Sequence, residues 1–122
     1  MTASAGFAEF LKDQLRGLGE VGVRRMFGGA GIYCDGLMFG LVSDDTLYFR
    51  VDEGNRGAFE AEGMQPFRYT AEGRTIQLPF WRVPERLFDD PEEMTAWARE
   101  TLAAARRVAA KRKAKKAGRG RS

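Results

Sequence analysis

The sequence predicts an α+β domain, an antiparallel sheet flanked by helices in the order α-β(3)-α-β(2)-α. Three observations lead there. Apolar residues recur at helical spacing near both ends of the chain, as on amphipathic helices. Between them the period changes to short apolar runs and alternations typical of strands. The link Asp35-Gly36 between two such runs is a strong hairpin signal, because both turn positions need φ > 0.

Phe7, Phe10, Leu11, Leu15 and Leu18 draw one apolar stripe, so a first helix is expected over about residues 4–18. Ser4 is its expected N-cap, and Gly17 or Gly19 its end. Gly31-Ile32-Tyr33-Cys34, Leu37–Val42 and Thr46–Val51 then predict a three-stranded meander, with turns at Asp35-Gly36 and Ser43-Asp44-Asp45. In the last of these strands Leu47, Phe49 and Val51 share a face. The strand from Leu37 to Val42 is apolar on both faces, so it is expected to be central and covered on each side.

Asn55–Glu62 reads as a short helix closed by Gly63 and anchored by Phe59. Phe67–Thr70 and Thr75–Phe80, joined across Ala71-Glu72-Gly73-Arg74, predict a second hairpin, and Pro79 places its last strand at an end or an edge. Asp89 or Asp90 as cap, Pro91 in the first turn, and Glu92 and Glu93 at the positive end of the dipole start the final helix. It docks through Met94, Trp97, Ala98, Thr101 and Leu102. Beyond Val108 its stripe is only alanine, so fraying and then disorder are expected. The expected division is a domain over 1–105 and, over 106–122, a basic helical extension with a disordered tail.

Charge follows the same division. All 17 acidic residues lie in positions 1–105 against 11 basic ones, a net charge of −6, while 106–122 hold nine basic residues and no acid. No run approaches the roughly 20 apolar residues of a membrane span, and the N-terminus lacks the pattern of a secretory signal, so a cytoplasmic protein is expected. One cysteine, Cys34, makes neither an intrachain disulfide nor a thiolate metal cage. Without any histidine, the chain lacks the commonest general base and metal ligand. No enzyme activity and no cofactor are expected.

Several constellations remain. Gly28-Gly29-Ala30-Gly31 leads into a strand and has no neighbouring Lys-Ser or Lys-Thr, so a backbone-geometry role outweighs phosphate binding. Arg24, Arg25, Met26, Phe27, Gly28 and Gly29 form the candidate partner-binding patch; with Arg50 the two arginines either attract an anion or pair with the acidic body. The carboxylate pairs Asp44/Asp45, Asp52/Glu53, Asp89/Asp90 and Glu92/Glu93 sit where turns and caps favour acids. Phe80, Trp81 and Trp97 are expected in core or interface rather than stacked on a ligand. Arg106, Arg107, Lys111, Arg112, Lys113, Lys115, Lys116, Arg119 and Arg121 are candidates for salt-dependent, sequence-independent nucleic-acid contact.

The pieces Arg25–Tyr33, Gly36–Val42, Leu47–Asp52, Pro66–Tyr69 and Leu87–Pro91 before Trp97-Ala98 resemble the N-terminal domain of the TfoX/Sxy competence regulators. The resemblance implies a fold similar to secretion chaperones and a role linked to transcription. Full-length members carry a second helical domain, whereas here the last helix passes into the basic tail, so a stand-alone N-terminal domain is expected. The expected function is a non-catalytic regulatory module binding a protein partner, as a homodimer by analogy with chaperone-like folds. The alternative is a nucleic-acid-associated protein whose tail contacts phosphates.

Overall fold

A computed structural model describes residues 4–26 and 28–119. It is α+β, built on one antiparallel sheet of six strands in the order β1-β2-β3-β4-β6-β5. Helix α1 spans Ala5–Gln14, and Ser4 caps it by accepting a hydrogen bond from the Phe7 N–H at 3.1 Å. A 3-10 turn at Arg16–Leu18 replaces the last part of the expected helix. Leu11 and Leu15 are fully buried, whereas Phe10 stays 40 % exposed beside Phe7 and Phe88.

Four strands follow, not three: β1 (Val21–Met26), β2 (Gly29–Cys34), β3 (Leu37–Ser43) and β4 (Thr46–Arg50). The added strand β1 carries two adjacent arginines and a glycine, which hide the alternation of Val21 and Val23; an edge strand needs no more apolar content than that. The β2–β3 and β3–β4 turns use Asp35 (φ 52°) with Gly36 (φ 76°), and Asp44 (φ 56°) with Asp45 (φ 51°), the two-residue mirror-image turns that suit twisted strands.

Helix α2 (Arg56–Ala61) buries Phe59, whose ring meets Trp97 edge-on at 4.9 Å. The second hairpin pairs β5 (Pro66–Ala71) with β6 (Arg74–Arg82), and β6 also pairs with β4. Pro79 therefore lies inside a strand flanked on both sides, contrary to expectation. It is tolerated because the β5–β6 ladder is irregular between Pro66 and Arg68, and because its carbonyl accepts the Val51 N–H at 2.9 Å.

Helix α3 (Pro91–Arg119) begins where Asp90 accepts the Glu93 N–H at 3.1 Å. Met94, Ala98, Thr101, Leu102 and Ala105 pack on β3 and β4, and burial ends at Ala105. The helix then continues through the basic extension to Arg119; alanine, lysine and arginine are strong helix formers, and cations favour the C-terminal end of the dipole. The core joins this helix to Phe39, Val42, Leu47 and Phe49. A polar clamp locks one end: Asn55 and Thr101, both buried, donate to the Arg50 carbonyl at 2.9 and 3.1 Å, and Asn55 Oδ1 accepts the Asp52 N–H at 2.8 Å.

Candidate functional site

Strand alternation gives the sheet two faces of different character. Ala30, Ile32, Val42, Leu47 and Phe49 point into the core under α3. On the other face lie half-buried Tyr33, Met38, Leu41, Tyr48 and Phe67, with Tyr69 42 % exposed, and none of them belongs to the core cluster. The expectation that β3 is covered on both sides is thus met on one side only among the described residues. Helices α1 and α3 both serve the core face, and this outer face is left open.

The register arranges the open face in rows. Arg24, Gly31, Leu41, Tyr48 and Arg82 lie side by side across β1, β2, β3, β4 and β6. The Arg24 guanidinium sits 5.1 Å from the Tyr33 ring centre, and that of Arg50 lies 5.2 Å from Phe80. Tyr48 meets Phe67 edge-on at 4.9 Å, and Phe67 lies 6.1 Å from Tyr69. Alternation puts Arg74 on the same face, at its far end. No aspartate or glutamate occupies an outward strand position.

Acids gather instead at the strand ends, and some are already engaged. Arg106 donates to Asp35 at 2.9 Å, and Arg107 binds both oxygens of Asp52 at 2.6 and 2.8 Å. These two contacts fix α3 against the sheet end where its exposed part begins. Hydrogen bonds from Arg107, supported by the Gly54 N–H, hold the Asp52 carboxyl at about 2 against the opposing effect of burial. Because this is below an ordinary carboxylate value of about 4, the ion pair stabilises the fold fully above that pH and is lost as pH falls toward 2. Titration of Asp52 by carboxyl-carbon NMR should give a midpoint near 2 in the parent chain; Arg107→Ala should return it toward about 4, and an unmoved midpoint would refute this cause.

The candidate patch of the first hairpin is divided by the fold. Arg24 and Met26 face outward on β1 while Arg25 points to the opposite side, so the two arginines do not form one cluster. Gly28 forms the turn (φ 79°) and Gly29 is buried within β2. Phe27 lies outside the described residues, as does Arg121. Among the tail candidates, Arg106 and Arg107 are the two clips just described. Lys111, Arg112, Lys113, Lys115 and Lys116 are exposed on α3 beyond its last buried residue, and Arg119 ends the helix.

Trp81 and Trp97 pack against the core, and Phe80 is buried on the other face beneath Arg50. Cys34 is buried, and burial first, then Asp35, push its thiol up, with Arg106 partly opposing. Among the described residues no group of three acids or cysteines could hold a metal ion. A groove of about 380 Å³ beside the end of β6 is lined by Gly63, Met64, Gln65, Arg82, Val83 and Glu85. No described helix is long and apolar enough to cross a membrane.

Sequence reasoning overlooked Tyr33, Tyr48, Phe67, Tyr69, Arg74 and Arg82 as a group. The signal was available for Tyr48, since a strand that sends Leu47 and Phe49 inward must send Tyr48 outward. Only the strand order brings the others beside it.

The family model of the TfoX N-terminal domain matches residues 13–105. The chain belongs to this family. The match ends at the residue where burial of α3 ends. A relative described as DNA transformation protein TfoX1, from Aliivibrio fischeri, is 28% identical over 96 residues, covering 79% of this chain and 44% of its own length. The chain therefore spans less than half of that TfoX-family protein.

Proposed function

We propose that this TfoX-family domain is a non-catalytic regulatory module, serving DNA transformation as the name of its relative suggests, and that the open sheet face is its docking surface. One observation carries the reading: half of a six-stranded sheet's surface is aromatic and aliphatic, yet both long helices lie on the other side. The paired or capping roles of Asp52, Glu93 and Asp90 support the absence of catalysis, since those carboxylates are committed to the fold.

A protein is the partner that the sequence leads one to expect. A second reading, contact with nucleic acid, is favoured by the segregation of charge: the open face and the exposed part of α3 are cationic, while the rest of the domain is acidic. Two copies meeting through the open face would set arginine against arginine, so the expected homodimer needs another surface.

The test is transcript profiling of the native cell lacking the protein, complemented by the parent chain or by Leu41→Asp. Leu41 is half-buried on the open face, so the variant should fold. The parent should restore a defined set of transcripts and the variant should not; a deletion that leaves the profile unchanged overturns the regulatory reading.

A further inference from the structure

We propose that the open sheet face binds single-stranded nucleic acid, with bases against Tyr48, Phe67 and Tyr69 and phosphates on Arg24, Arg50 and Arg82. The inference rests on the nucleic-acid reading above and gives it a site and a strand preference.

The chemistry comes first. Among the described residues none of these three arginines is in an ion pair, and neither is Arg74. Four unpaired cations on one face, with no carboxylate at any outward strand position, select an anionic occupant. Setting those four aside leaves seven basic residues against 17 acids in positions 1–105, so a polyanion is repelled by the rest of the domain and confined to this face. The apolar rings separate nucleic acid from a simple anion. Rings lying open on a sheet are the platform on which unpaired bases stack, whereas a duplex hides its base faces and offers only its phosphates.

Spacing fits a strand rather than a single nucleotide. Arg24 and Arg82 end one row, four strand spacings apart, or about 19 Å, with Tyr48 between them. Gly31 in the same row is buried beneath the side chains of Met26, Tyr33 and Met38. Arg50 extends the cationic track toward α3. Burial first, then the like charge of Arg112 on the exposed part of the helix, disfavour its charged form, with Asp52 partly opposing, so a phosphate beside it is favoured.

The experiment is fluorescence anisotropy of the full chain with a labelled mixed-sequence single strand of about 20 nucleotides and with its duplex, at about 50 and about 200 mM salt. The single strand should bind at least about 10-fold more tightly than the duplex. Tyr69→Ala, which alters an exposed ring, and Tyr48→Ala should each weaken single-strand binding about 10-fold or more, without changing duplex binding or the salt slope. Arg24→Ala and Arg82→Ala should each lower the salt slope by about one. Unchanged melting temperatures identify the variants that remain folded, and exposed Tyr69 and Arg82 keep the test valid if Tyr48→Ala unfolds.

If the tyrosine variants bind like the parent while alanines at Lys111, Lys113, Lys115 and Lys116 abolish binding, the face assignment fails and the nucleic-acid reading survives through α3. If neither oligonucleotide binds, both fail. Tighter binding of polyglutamate than of the strand would assign the face to an acidic protein. A dimer in sedimentation that Tyr69→Ala dissolves would assign it to a second copy. Either result overturns the proposal.

Discussion

Phe39→Ala is expected to destabilise the domain by about 3–5 kcal/mol, read as a lower urea midpoint with an unchanged slope. Phe39 is fully buried, at the point where β3 slips by one residue against β2 between Ile32 and Tyr33. The bulge turns its ring inward, 5.9 Å from Phe49 and into the cluster that holds Met94 and Ala98 of α3. Neighbouring strands fix the backbone on both sides, so the vacated volume does not collapse. A domain with total stability of about 5–15 kcal/mol loses a large share of it. A cost under about 1 kcal/mol would mean that the bulge does not direct Phe39 into the core.

The second large effect separates two glycines on one strand. A Cβ on Gly29 would run into the carbonyl oxygen of Val42 on β3, which pairs with Ala30 on one side and Leu47 on the other and so has little room to move. At Gly31 the nearest atoms are Met26 Cε at 2.8 Å, Tyr33 Cε1 at 2.9 Å and Met38 Sδ at 3.2 Å, all ends of side chains on the open face. Gly29→Ala should therefore cost about 2–3 kcal/mol or more, as an overpacking substitution with no relief, and Gly31→Ala about 1 kcal/mol or less. Chemical denaturation of the two variants side by side checks the contrast. Equal losses would show that the β2–β3 pairing at Val42 is looser than its register implies.

That contrast also shows what the sequence made legible. The glycine run was recognised as backbone geometry, but which glycine faces a carbonyl and which faces movable side chains depends on the partner strand. Turn chemistry was readable wherever it is local: Asp35-Gly36, Asp44-Asp45 and Glu72-Gly73 all adopt positive φ at the expected links. The caps at Ser4 and Asp90 were local too. Strand β1 was not, because two arginines and a glycine carry no apolar period. The helical extension was legible because alanines and cations sustain a helix without burial. The open face was least legible. Arg24, Tyr48, Tyr69 and Arg82 stand far apart in the chain and come onto one face only through the order β1-β2-β3-β4-β6-β5, which no local pattern encodes.

Arg50 occupies both sides of the sheet at once. Its carbonyl is gripped from behind by Asn55 and Thr101, while its side chain emerges in front over Phe80. With its backbone gripped from behind and its guanidinium already lying over Phe80, the cation has less freedom to lose when an anion arrives. The same buried amide and hydroxyl that close the rear of the domain thereby keep one positive charge aimed at the front.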